Sequence, residues 1–141
     1  MDPKQNTNIE FHQCLGKLFY AIAASDNYIR DEELEKLEEV LEKEWIVLDN
    51  FSTTNKALII NTFKWLRTDN EYDSEVCYDS FLSFKKGHEE FFNSEMKSLI
   101  LKTSGKIASS FSRENKSELI MLAKLSVEFK DTNASSSLQK S

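Results

Sequence analysis

Apolar residues recur at intervals of three and four along almost the whole chain, the period of helices that bury one face. From about residue 8 to 24, Phe11, Leu15, Leu18, Phe19 and Ile22 make the first such series. It stops at Asp26-Asn27, where asparagine tolerates the left-handed backbone that a helix end usually assigns to glycine. A second stripe of Leu34, Leu37, Leu41, Trp45 and Leu48 predicts a helix over about 31–46. Ser52 and Thr53 then offer hydroxyl N-caps to a third helix of about a dozen residues, with Leu58, Ile59, Phe63 and Leu66 on its apolar side.

"RTDNEYDS", residues 67–74, is the clearest internal loop. A fourth helix is expected over 74–86, carrying Cys77, Tyr78, Phe81, Leu82 and Phe84 and ended by Gly87. "FFNSEMKSLILKTSGKIASSF" supplies a fifth, with Met96, Leu99, Ile100, Thr103, Ile107 and Phe111. Ser112 caps a sixth, with Leu119, Leu122, Ala123 and Phe129. The segmentation is therefore a flexible N-terminus at 1–7, one helical domain at 8–130, and a disordered tail at 131–141, whose "DTNASSSLQKS" is polar and of low complexity. The fold class is all-α, a compact bundle of about six amphipathic helices. The chain is expected to double back at residues 25–30, so that the first two helices lie flank to flank and share their apolar stripes.

Composition strengthens this picture. The 141 residues hold only three Gly and one Pro, too few turn formers for a β-rich chain. Ten Phe and an apolar share of 40% supply a real core. The formal charge of −6 is unevenly placed: residues 30–44 carry eight acids against three bases. An acidic chain disfavours nucleic acid and anionic membrane on average. No stretch approaches the roughly 20 apolar residues that span a bilayer. The N-terminus has no basic, apolar signal pattern. Cys14 and Cys77 sit in apolar surroundings without a CxxC partner, which fits two free thiols in a reducing, cytoplasmic compartment.

The acidic second helix divides into two features. Glu35, Glu39 and Glu42 lie opposite the leucine stripe and face solvent, as a solvated surface or as a partner-docking face. Glu33 lies beside the stripe in the first turn, close to Asp26. One reading has its carboxylate tie the turn by accepting backbone N–H groups, favoured by the helix dipole. The other has Asp26, Glu33 and Asp31 hold a divalent cation, calcium or magnesium, through oxygens. An EF-hand is excluded, because Tyr28 and Arg30 stand where its side-chain ligands belong.

The string A-x-S-D-N-x-I-x-x-x-E from Ala23 to Glu33 resembles the A-x-A-D-G-x-I-x-x-x-E motif of TerB-like proteins. That is the tellurite-resistance superfamily, which includes the N-terminal domain of a membrane-anchored DnaJ-type co-chaperone. "KTSGKIASSFSRENKSELIMLAKL" is similar to the C-terminal helices of a bacterial, Bacteroidetes-type branch, and the resemblance spans about Phe11 to Leu125. It implies an all-α fold, a stress-related or membrane-associated setting, and a cation site whose acidic positions fall on Asp26 and Glu33. Asn27 replaces the motif's Gly and Ser25 its Ala, and the second acidic motif of symmetric members is absent.

Catalytic signatures fail one by one. "HEEFF" starts like a zincin motif, but Phe92 stands where the second His must be. Gly105-Lys106 is no P-loop, since Ile100 and Ile107 occupy the required Gly and Ser/Thr positions. His12 and His88 are expected at the surface or at helix caps. Tyr78, Phe81, Phe84, Phe91 and Phe92 are expected in the core. The function expected is therefore a non-enzymatic TerB-like module acting through protein contacts, with no certain cofactor. An alternative places nucleic acid on the 94–130 region, seven bases against four acids, through Lys102, Lys106, Arg113 and Lys116.

Overall fold

The computed structural model describes residues 3–25, 29–48, 51–69, 73–110 and 116–140, with side-chain surroundings for those between 6 and 130. Six helices follow in order: α1 (Pro3–Ala23), α2 (Asp31–Lys43), α3 (Thr53–Asp69), α4 (Ser74–Gly87), α5 (Ser94–Ala108) and α6 (Lys116–Lys140). Single 3-10 turns stand at Trp45–Val47 and Glu89–Phe91. No strand occurs among the described residues, and no helix is long and apolar enough to cross a membrane.

The bundle is built around α1. Leu18 through Ala24 are buried without a break, seven consecutive positions that point to every side of a helix. Such a segment must be surrounded, and α1 packs chiefly against α3 and α4, with α5 and α6 closing over it. Gly16 makes the α1–α3 approach possible: a Cβ there would come within 2.7 Å of both the Ile59 carbonyl oxygen and Thr62 Cβ.

Local chemistry sets the ends. Ser52 Oγ accepts the Asn55 N–H at 3.1 Å, Asp73 caps α4 through the Glu75 N–H, and Asn93 Oδ1 takes the Met96 N–H at 2.8 Å. Gly87 is the last residue of α4, as expected. Ser112, the expected cap of the sixth helix, lies outside the described residues.

Several boundaries differ from those read in the sequence. α1 begins at Pro3 rather than near residue 8, since proline is well suited to a first turn where its missing N–H has no partner to lose. α6 runs to Lys140 rather than ending near 130. α3 has 17 residues and continues into the expected loop as far as Asp69. α2 stops at Lys43, and the chain tightens into the 3-10 turn that buries Trp45 while exposing Ile46 and Val47.

The larger correction concerns α1 and α2. They do not share one stripe flank to flank. α2 seats chiefly on α5, and the link back to α1 runs through Trp45, whose ring meets Phe19 edge-on at 6.3 Å. The end of α1 from Leu18 is buried on every side, and the helix's long contact faces are taken by α3 and α4. Trp45 is anchored on the other side by its Nε1–H, donated to Thr103 Oγ1 at 2.8 Å, while Thr103 donates to the Leu99 carbonyl at 2.7 Å.

Candidate functional site

The first turn of α2 shows what holds the acidic joint. Glu33 is 1% exposed, and its Oε1 accepts the Arg30 backbone N–H at 2.8 Å, with the Arg30 guanidinium 3.8 Å away. The turn-tying geometry is thus present. Asp31 is exposed and paired with Arg67 at 2.8 Å. Arg67 also donates toward the Ile29 carbonyl, so α3 helps to fix the chain entering α2. Asp26 lies outside the described residues, and among the described residues no three metal-ligating side chains converge. A cation gathered by Asp31 and Glu33 has to displace two guanidinium groups first.

Glu35, Glu39 and Glu42 are exposed, as their spacing predicts. The face is less acidic than its sequence suggests. Glu39 lies between Lys36 at 3.5 Å and Lys43 at 3.6 Å, and these cations hold its carboxyl below the ordinary range. Glu42 takes Lys56 of α3 at 2.5 Å.

The basic region is balanced in the same way. Lys102 pairs with Glu44, the C-cap of α2, and depresses that carboxyl, with Lys106 adding a smaller pull. Lys116 is exposed at the start of α6, and Arg113 lies outside the described residues. The Glu44–Lys102 pair thus sets an acid against one of the bases that phosphate recognition would need.

A different surface emerges from α4 and α6. The buried stripe of α6 is Glu118, Met121, Leu125 and Phe129, each 5% exposed or less. This corrects the stripe read from the sequence, since Leu119 is 44% exposed and Ala123 also faces solvent. On the other side of the helix, Ile120 and Val127 are each 53% exposed, with Ala123 between them at helical spacing. Alongside lies a groove of about 440 Å³, with Tyr78 and Leu82 of α4 forming one wall. Lys124 sits 5.5 Å over the Tyr78 ring, and Glu128 turns inward toward Lys85 at 3.6 Å. Burial, followed by the nearby Glu128 and Asp79 carboxylates, pushes the Tyr78 hydroxyl up to about 12, so it stays protonated. At the other end, a smaller hollow of about 220 Å³ shares Ile120 and Lys124 and is walled by Ser25, Ser74 and Ser117.

Beneath the groove, Lys85 is 0% exposed, paired with Glu89 at 3.1 Å and with Glu128, and lies 5.8 Å over the Phe129 ring. Two rings of the expected aromatic core, Phe84 and Phe91, are only partly buried, while Tyr78, Phe81 and Phe92 are buried as read. His88 caps α4 as expected, its Nδ1 3.1 Å from the Phe84 carbonyl. His12 does not lie at the surface: it is 5% exposed beneath Phe51. Both cysteines are free and buried, and burial raises both thiols above their usual range.

Sequence reasoning missed the outward stripe of α6. The signal was present, because apolar residues occupy 119–123, 125, 127 and 129 and leave no polar side to the helix. No family model matches the chain, and neither does any curated protein or solved structure.

Proposed function

We propose that this chain is a non-enzymatic helical module that works by binding another protein, and that its contact surface is the outward face of α6 with the adjoining α4 groove. The observation that carries this reading is the second apolar stripe. Ile120, Ala123 and Val127 point away from the core stripe of the same helix and lack cover among the described residues. Exposed apolar surface of this kind marks a contact site more often than chance scatter does. The occupant is an amphipathic helix of the partner. The groove takes its lining from both α4 and α6, with the small side chain of Ala123 among it, and admits a third helix at the usual 8–10 Å packing distance. Its one Lys and one Glu ask for an uncharged seam.

The TerB-like resemblance and the pair of buried free thiols support a bacterial, cytoplasmic, stress-related setting for that contact. A divalent cation at the α1–α2 joint is secondary to it, because both described carboxylates already have arginine partners.

The test compares retention of host proteins on three immobilised forms. Wild type and the charge-reversed Glu35→Lys/Glu39→Lys/Glu42→Lys variant should retain the same partner, while Ile120→Glu/Val127→Glu should lose it at unchanged helicity. Retention by the stripe variant but not by the α2 variant would overturn the assignment. Dimerisation of the chain itself through α6, seen by light scattering, would replace the partner with a second copy.

A further inference from the structure

Where α1, α3 and the Glu89–Phe91 turn meet lies a cleft of about 350 Å³ that the contact surface does not use. This volume falls at the lower end of the range for small-molecule sites. Its wall is a continuous run of rings: Phe51 and His12 at 6.1 Å, His12 and Phe11 edge-on at 5.0 Å, Phe11 and Phe91 stacked at 4.8 Å. The Met96 thioether completes it.

The polar residues lining it are Asn8, His12, Asn55 and Glu90. His12 Nδ1 lies 2.8 Å from the Asn8 carbonyl oxygen, so that nitrogen carries the proton and donates it, which leaves Nε2 as the ring's acceptor. Burial lowers the basicity of this imidazole and keeps it neutral near pH 7. Asn8 is itself spent in part on Asn55, donating through Nδ2 to Oδ1 at 3.2 Å. Glu90 stands at the mouth, and unlike its neighbour Glu89, which holds Lys85, it has no ion-pair partner among the described residues. Among the described residues, no lysine or arginine lines the cleft.

Aromatic faces carry the negative end of the ring quadrupole, and a carboxylate beside them adds full charge; together they attract cations, above all weakly hydrated organic ones. We propose that this cleft binds an organic ammonium group, with the rings of Phe11, Phe51 and Phe91 packing its carbon shell and Glu90 neutralising its charge. A metal ion is not favoured, because His12 and Glu90 are the only His, Cys, Asp or Glu among the described lining residues and no group of three such side chains occurs among the described residues. An anion is opposed by Glu90. The ammonium could arrive on a free amine or on a methylated lysine side chain of a peptide, and the chemistry of capture is the same.

Methionine methyl NMR tests this on the full chain, because Met96 lines the cleft while Met121 lies in α6, away from it. Three probes are titrated: phenethylammonium, its neutral alcohol analogue, and a short peptide bearing trimethyl-lysine. The Met96 methyl should shift saturably with at least one cation while Met121 stays still. The neutral analogue should bind about threefold to tenfold more weakly, and Glu90→Gln should weaken cation binding by a similar factor. Tighter binding of phenethylammonium assigns a free amine, and tighter binding of the peptide assigns a lysine side chain. No Met96 shift with either cation up to about 10 mM, a range weaker than specific recognition, overturns the proposal. Equal affinity for the neutral alcohol, or for Glu90→Gln, overturns it too.

Discussion

Replacing glycine by alanine inside a helix normally stabilises it, by about 0.5–1 kcal/mol, because alanine loses less conformational freedom on folding. Gly16 should reverse that sign. The added methyl would stand 2.7 Å from the Ile59 carbonyl oxygen and 2.7 Å from Thr62 Cβ, closer than van der Waals contact allows. The oxygen belongs to the α3 backbone and cannot rotate away, so α1 and α3 must separate locally. Overpacking of this kind costs about 1–3 kcal/mol. After the propensity gain is set against it, Gly16→Ala should lose about 1–2 kcal/mol, a fall of about 3–6 °C in Tm at this chain length.

Gly105 supplies the control. It too lies inside a helix, but a Cβ there meets nothing within 4 Å. Gly105→Ala should therefore gain about 0.5–1 kcal/mol. Urea denaturation followed by helical circular dichroism, supported by thermal scans, measures both. A Gly16→Ala protein as stable as wild type would mean that α1 and α3 do not cross in contact at that position. The packing of the bundle around α1 would then be wrong.

Other substitutions probe separate parts of the fold. Thr103→Val leaves the buried Trp45 indole N–H without its acceptor and should cost about 1–3 kcal/mol, read by urea titration. His12, held neutral by burial, has its folded pKa below the unfolded 6.5, so the unfolded chain binds the proton better. Stability should fall as pH drops through 6.5, well above the window below 4.5 where Glu39 and Glu44 lose their contributions. Thermal scans of His12→Gln should show that slope flattened. Cys14 and Cys77, with thiols raised by burial, should resist a disulfide thiol reagent in the native protein and both react once urea unfolds it.

How much of this was legible in the sequence depended on whether a residue's partners were local. The three-and-four period placed the six described helices, and Ser52 and Gly87 marked the ends of two of them, because caps and stripes are set within a few residues. The tie between Glu33 and Arg30 was legible for the same reason, lying three positions apart in one turn. Which helix packs on which was not. The α2 stripe looked ready for α1, yet α5 receives it, and only the unbroken apolar run from Leu18 to Ala24 hinted that α1 had no free side for it. Likewise, the charges of Glu42, Glu44 and Lys102 looked available until their partners on α3, α5 and α2 were brought near. His12 falls in the same class, since its burial depends on Phe51, 39 positions away in the chain.

The stripe on the outside of α6 carries the functional conclusion, and the acidic face of α2 is its rival. A photo-reactive residue placed at Ala123 in one protein and at Glu35 in another, each expressed in the native host and irradiated, separates them. A single discrete adduct from position 123, abolished by Val127→Glu, with none from position 35, is the outcome the structure predicts. An adduct from position 35 and silence at 123 would contradict it.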